Sequence, residues 1–152
     1  MWRLSGIERD IYLYSTPKQY IADYQVTSTL DKETYTDGLF ALETTIGGEA
    51  EGAATLSYRL EDACGKTILE KDCPLQSKES GNFIFFEKET LPKVKRWSAE
   101  HPYLYTLIIS LKDTSGEIIH LTGCNVGFRT SEIKDGRFCI NGVPILVKGA
   151  NR

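Results

Sequence analysis

Apolar and polar residues alternate along most of this chain. In "IADYQVTSTL", Ala22, Tyr24, Val26, Ser28 and Leu30 share one side, and Asp23, Gln25, Thr27 and Thr29 share the other. That is the period-two pattern of a strand with one wet face. "LFALETTI" alternates again, with Phe40, Leu42 and Ile46 pointing one way between the breaks at Asp37-Gly38 and Gly47-Gly48. "TLSYRLED" sends Leu56, Tyr58 and Leu60 inward and Thr55, Ser57 and Arg59 outward. "ACGKTILEKD" reads as a hairpin turning near Cys64-Gly65-Lys66, "NFIFFEK" as the next strand, and "YLYTLIISLKD" as the longest and most apolar. "DTSG", from Asp113 to Gly116, turns the chain back into "EIIHLTGCNVGF". "IYLY", Ile11 to Tyr14, is a further strand signal, ended by Ser15, Thr16 and Pro17.

No window carries the i, i+3, i+4, i+7 stripe of a long amphipathic helix. Seven main strands between Gln19 and Phe128 predict an all-β fold, an immunoglobulin-like (fibronectin-type) antiparallel β-sandwich. The Cys…Trp…Cys core of antibody domains is absent, and Trp97 falls in a connection.

Both ends break this rhythm. "EIKDGRFCINGVPILVKG" contains Asp135-Gly136 and Asn141-Gly142, two strong hairpin signals that leave only very short strands. A short C-terminal β-hairpin of this kind is marginal alone and normally lies against another body. At the other end Trp2, Leu4 and Ile7 are apolar with no partner strand nearby. The expectation is a piece of a longer protein, with Trp2, Leu4 and the 138–147 ribbon exposed as severed domain interfaces.

Composition narrows the function classes. A chain of 152 residues suffices for one domain with a real core. Its net charge of -3 argues against a nucleic-acid partner, and no apolar run is long enough to span a membrane. The four cysteines, Cys64, Cys73, Cys124 and Cys139, lack tight spacing and are read as free or structural thiols. His101 and His120 lie far apart and no CxxC occurs, so no metal site is expected.

Acid/base work on a glycosidic bond needs two carboxylates facing each other across a pocket. Glu49, Glu51, Glu61, Asp62, Glu87 and Glu89 are the candidates, and each reads more simply as a solvated carboxylate at a turn or strand end. Ser98 and His101 suit a turn or cap rather than a nucleophile with its base. The loop from Gly47 to Gly52 lacks the Lys-Ser/Thr of a phosphate cradle, and the basic "KVKRW" run, Lys93 to Trp97, is too short to make a nucleic-acid groove. Trp97, Tyr103 and Tyr105 gather around Pro102. A tyrosine starting a long strand commonly ties a sandwich corner by bonding back to the connecting backbone. Carbohydrate stacking on Trp97 is the alternative use. The residues by themselves support a β-sandwich module with no catalytic residue and no cofactor.

"MWRLSGIERDIYLY", "WSAEHPYLYTL", "VGFR" and "DGRFCINGVPILVKGANR", in this order across all 152 residues, resemble the central immunoglobulin-like domain of the family 2 glycoside hydrolases. The resemblance implies three parts. Residues 1–18 link from a sugar-binding jelly-roll domain, 19–130 form the sandwich, and 131–152 form a β-hairpin and the start of a (β/α)8 catalytic barrel. It marks Trp2, Arg3, Trp97, Pro102, Tyr103, Tyr105, Gly127, Phe128, Arg129, Asn141, Gly142, Gly149 and Asn151 as structural or interface residues.

It also implies that both catalytic glutamates lie in the barrel beyond Arg152. The parent would be a β-galactosidase cleaving terminal β-D-galactose with retention, with β-glucuronidase and β-mannosidase as alternative activities on the same layout. Magnesium, and possibly sodium, would bind at sites outside this chain. The implied partners are the two flanking domains, within a homo-oligomer, with no nucleic acid and no membrane. The compartment is open between cytoplasm and periplasm. Leu69 to Phe86 is shorter than the loop by which such β-galactosidases reach a neighbouring subunit, and it lacks that loop's Gly-rich acidic body. The other reading is a free-standing carbohydrate-binding or protein-interaction sandwich.

Overall fold

Strands with one apolar face become stable only when two such faces meet, and here they meet as two layers. The computed structural model describes residues 6–7, 9–48, 53–75, 83–147 and 149. In chain order the sandwich strands are β1 (Gln19–Leu30), β2 (Gly38–Gly48), β3 (Ala53–Glu61), β4 (Thr67–Pro74), β5 (Phe83–Leu91), β6 (Tyr105–Asp113) and β7 (Ile118–Val126). One sheet runs β1-β2-β5 and the other β4-β3-β6-β7, with antiparallel pairing throughout. The chain then forms a small third sheet from β8 (Ser131–Lys134), β9 (Arg137–Ile140) and β10 (Val143–Pro144), in the order β10-β9-β8. The described residues contain no helix.

The alternation read in β2 and β3 is the alternation that fills the core. Leu42 and Ile46 from one layer face Leu56, Leu60, Leu107, Ile109 and Leu111 from the other, all fully buried. Each such side chain contributes about 1.5–3 kcal/mol of burial free energy. Phe40 and Tyr58 stack across the layers with ring centroids 6.3 Å apart.

Four expectations need correction. The β1 alternation holds from Tyr24 onward, but Ala22 is exposed and Ile21 takes the core position. The register shifts between Ile21 and Asp23, and the extra residue of a bulge reverses which side chains face inward. "IYLY" is not a strand: Ile11, Tyr12, Leu13 and Tyr14 are unpaired and exposed, because β-propensity without a partner edge makes no ladder. The tail turns at Asp135-Gly136 and Asn141-Gly142 as expected, but it forms a three-stranded ribbon, one strand more than a short hairpin.

Finally, Glu87 and Glu89 are not solvated strand-end carboxylates. They lie within β5 opposite the buried Leu42 and Phe40 of β2, on the inward side. Lys71 of β4 reaches both, 3.8 Å from Glu87 and in direct contact with Glu89. β4 and β5 are the edge strands on this flank of the two sheets, and inward-pointing charges are a common guard against edge-to-edge pairing.

The opposite flank is closed by hydrogen bonds between β1 and the strand or segment beside it. The Tyr24 hydroxyl donates to the Gly123 carbonyl at 3.1 Å, and the Ser28 hydroxyl to the Gly127 carbonyl at 2.9 Å. His120 Nδ1 accepts from the Ile21 N–H at 3.3 Å. Three loops are each headed by an aspartate. Asp31 accepts from the N–H groups of Glu33, Thr34, Thr36 and Asp37. Asp62 and Asp113 accept from backbone N–H groups in the same way. Hydrogen bonds to the ionised form hold all three carboxyls below the usual carboxylate range, led by loop N–H groups at Asp31 and Asp62 and by the Ser115 hydroxyl, ahead of the N–H groups, at Asp113.

Candidate functional site

The connection from β5 to β6 crosses one end of the sandwich, and two tyrosines pin it there. Tyr105, buried at the start of β6, accepts the Lys95 N–H on its hydroxyl at 2.8 Å. Tyr103 accepts the Ala63 N–H at 3.1 Å, while the Lys95 ammonium lies 4.7 Å from its ring centroid. The rings of Tyr103, Tyr105 and the fully buried Phe128 follow one another edge to face, at 5.0 and 5.4 Å.

Further along, Lys93 N–H donates to Asp37 and Val94 N–H to the Thr36 carbonyl, so "KVKRW" is tied down as a connector. Trp97 pairs with Pro102 across a turn in which Ser98 Oγ accepts the His101 N–H at 3.1 Å. Trp97 N–H donates to the Phe128 carbonyl at 2.9 Å, and Gly127 sits against the Trp97 and Leu104 side chains. The Arg129 guanidinium lies 4.8 Å over the indole, occupying one of its faces.

Asn141 joins this end to the ribbon. Its backbone N–H donates to the Thr130 carbonyl at 2.9 Å. Its side-chain oxygen accepts the Thr130 N–H at 3.0 Å, and its amide donates to the Trp97 carbonyl at 3.0 Å. Thr130 in turn exchanges two hydrogen bonds with the Leu30 backbone through its hydroxyl, at 3.0 and 3.1 Å.

Asn141 and Gly142 have φ of 52° and 76°, and Asp135 and Gly136 have 50° and 71°. Both pairs therefore adopt the left-handed two-residue turns that Asn-Gly and Asp-Gly favour. A Cβ on Gly142 would stand 2.6 Å from the Tyr35 ring, so any other residue must displace that ring as well as adopt a left-handed φ. The Tyr35 hydroxyl donates to Glu132 on β8, and that bond, with burial second, pushes the phenol pKa up.

The ribbon is thus sealed at Cys139 and Asn141, while Val143 is 62%, Leu146 80% and Val147 73% exposed. The expectation of an exposed 138–147 ribbon therefore holds for one face only. Between the ribbon and residues 94–101 lies an open groove of about 1040 Å³. Trp97, Arg129, Phe138, Val143, Ile145 and Leu146 line it, with Lys95 and Arg96 at its side.

Trp97, Pro102, Tyr103, Tyr105, Gly127, Phe128, Arg129 and Asn141 are brought to this one end. Gly142 packs beneath it on Tyr35, and Gly149 is exposed. Trp2, Leu4, Arg3 and Asn151 lie outside the described residues, as do Glu49, Glu51 and residues 76–82 of the Leu69 to Phe86 stretch. Sequence reasoning missed Thr130, Tyr35 and Glu132. A threonine and a glutamate beside a strand carry no signal, because their partners are far away in sequence.

The remaining candidates have local structural partners. Glu61 pairs with Arg59 at 2.7 Å, Asp62 caps its hairpin, and Glu87 and Glu89 hold Lys71. The four cysteines are free, and burial pushes the Cys73 thiol up. Among the described residues no three His, Cys, Asp or Glu gather as a metal-ligating group.

The family model described as "Glycosyl hydrolases family 2" matches residues 19–129. The chain is 40% identical to a β-galactosidase of Priestia megaterium, over 99% of its own length and 15% of that protein's. It is 35% identical to the β-galactosidase large subunit of Lactobacillus acidophilus, covering 23% of that protein. Among solved structures, β-glucuronidase 3 of Bacteroides uniformis superposes with a TM-score of 0.72 at 25% identity, over 90% of this chain and 16% of that one. The chain therefore spans between about a seventh and a quarter of the length of these proteins.

Proposed function

This chain belongs to family 2 of the glycosyl hydrolases, and from that premise we propose that it is the β-sandwich module of a multidomain enzyme that hydrolyses terminal β-D-galactosides with retention. The observation that carries this reading is the 40% identity to a β-galactosidase along 99% of the chain. The solved β-glucuronidases share the fold at 25% identity, so galactose is the favoured sugar over glucuronic acid.

The module's part is mechanical. Its tyrosine-clipped end and docked ribbon present fixed surfaces to neighbouring domains, with a sugar-binding domain before it and a catalytic barrel after it. Retaining chemistry needs two carboxyl groups about 5–5.5 Å apart, and among the described candidates Glu61 is paired with Arg59, and Glu87 and Glu89 with Lys71. The acid/base and the nucleophile belong to the remainder of the polypeptide, as do sites for magnesium and sodium. A homo-oligomeric parent completes the reading.

Hydrolysis of chromogenic β-galactoside and β-glucuronide, run side by side on the 152-residue chain and the full-length protein, tests it. The expected result is an inert chain beside a full-length enzyme that cleaves the galactoside. Preference for the glucuronide would overturn the sugar assignment, and turnover by the chain alone would overturn the module reading.

A further inference from the structure

We propose that Asn141 is a modification site, deamidated by its own neighbour Gly142 whenever the ribbon leaves the sandwich. The product docks less well than the asparagine, so each conversion loosens this end of the fold for good.

Asn141-Gly142 is the single Asn-Gly pair among the 152 residues. Asparagine is thermally labile, and a glycine after it has no Cβ to shield its backbone nitrogen. That nitrogen attacks Asn141 Cγ. A Cγ–N bond forms as the Cγ–Nδ2 bond breaks, the Gly142 nitrogen gives up its proton, and Nδ2 leaves as ammonia. Water then opens the five-membered imide at either carbonyl, leaving aspartate or an isoaspartate linkage. The sequence of steps consumes only water and changes no oxidation state.

The docked geometry holds this reaction back. Asn141 is only 8% exposed. Its oxygen accepts the Thr130 N–H and its amide donates to the Trp97 carbonyl, both at 3.0 Å. Both ends of the carboxamide are thereby tied to the sandwich, and swinging Cγ onto the Gly142 nitrogen breaks both bonds. Gly142 is itself packed against the Tyr35 ring. A local opening of the ribbon must therefore precede the attack. The product makes the event one-way. A carboxylate only accepts hydrogen bonds. One oxygen of an aspartate can keep the Thr130 N–H, but the other then faces the Trp97 carbonyl, acceptor against acceptor. The isoaspartate form puts an extra carbon into the main chain of a two-residue turn, against the Ile140–Val143 pairing of β9 with β10.

Timed incubation of the full-length protein at mildly alkaline pH, with peptide mass spectrometry of residues 137–147, tests the proposal. Conversion of the amide to a carboxyl is expected to be at least roughly tenfold slower in the folded protein than in the same protein held unfolded in guanidinium chloride. Thr130→Val removes the two hydroxyl bonds to the Leu30 backbone and should speed conversion in the folded protein roughly threefold or more. Thr130→Ser keeps the hydroxyl and should keep the original rate. Asn141→Asp reproduces the aspartate product, and its 137–147 peptides should exchange deuterium roughly tenfold faster. Equal conversion in folded and unfolded protein, or a folded Thr130→Val protein no faster than the original, overturns the gating. An amide that survives in guanidinium chloride overturns the site itself, and unchanged exchange in Asn141→Asp overturns the loosening. The comparison of folded with unfolded protein uses no variant, so it decides the matter even where Thr130→Val does not fold.

Discussion

Replacing Asn141 by alanine should loosen the ribbon from the sandwich, and the cost can be worked from its contacts. Thr130 is only 5% exposed, so losing the Asn141 oxygen strands its N–H away from water at about 1–3 kcal/mol. The Trp97 carbonyl loses the Asn141 amide but is only part-buried, and water limits that loss to roughly 0.5–1.5 kcal/mol. Asn141 also sits at φ 52°, where alanine costs about 1 kcal/mol and asparagine less.

Together these give a destabilisation of about 3 kcal/mol, which for a urea slope of roughly 2 kcal/mol/M moves the unfolding midpoint down by about 1.5 M. Asn141→Gly separates the contributions. It accepts the left-handed backbone, so it should recover about 1 kcal/mol and leave only the hydrogen-bond loss. Urea titration followed by tryptophan emission measures both variants, and exchange of the Thr130 amide reports the stranded donor. A midpoint for Asn141→Ala within about 0.25 M of the unaltered chain, equivalent to roughly 0.5 kcal/mol, would refute the reasoning, because it would mean that the buried contacts carry no net free energy.

Two further variants probe other parts of the fold. Gly142→Ala should destabilise by roughly 2–4 kcal/mol through a disfavoured φ and a Cβ driven into the Tyr35 ring; a thermal midpoint unchanged from the parent would show that Tyr35 simply moves aside. Asp31 has its folded-state pKa lowered by the loop N–H groups, so its stabilisation is present in full above the ordinary carboxylate value near 4 and is lost as pH falls from there through the lowered value. Asp31→Asn should therefore flatten the acid limb of a stability-versus-pH curve while changing little of its shape above pH 5, and an acid limb as steep as the parent's would sink the assignment.

What the chain shows on its own is whatever depends on neighbours in sequence. The period-two pattern in β2 and β3 identified Phe40, Leu42, Ile46, Leu56, Tyr58 and Leu60 as core, and all six are buried, because alternation is a property of the strand itself. Asp135-Gly136 and Asn141-Gly142 announced their turns, because left-handed φ values are set by residue type. The tyrosines around Pro102 were likewise visible as a cluster.

Tertiary structure decided whatever depends on a partner. The Ile21/Asp23 register shift exists only against β2, so no pattern in β1 could place Ala22 outside. "IYLY" has the composition of a strand and lacks an edge to join. Glu87 and Glu89 look like surface carboxylates until β4 brings Lys71 across the open flank. Thr130, Tyr35 and Glu132 gain their roles from contacts that span about a hundred residues. Local propensity and hydrophobic period are written along the chain, whereas register, edge pairing and long-range polar contacts are properties of the packed whole.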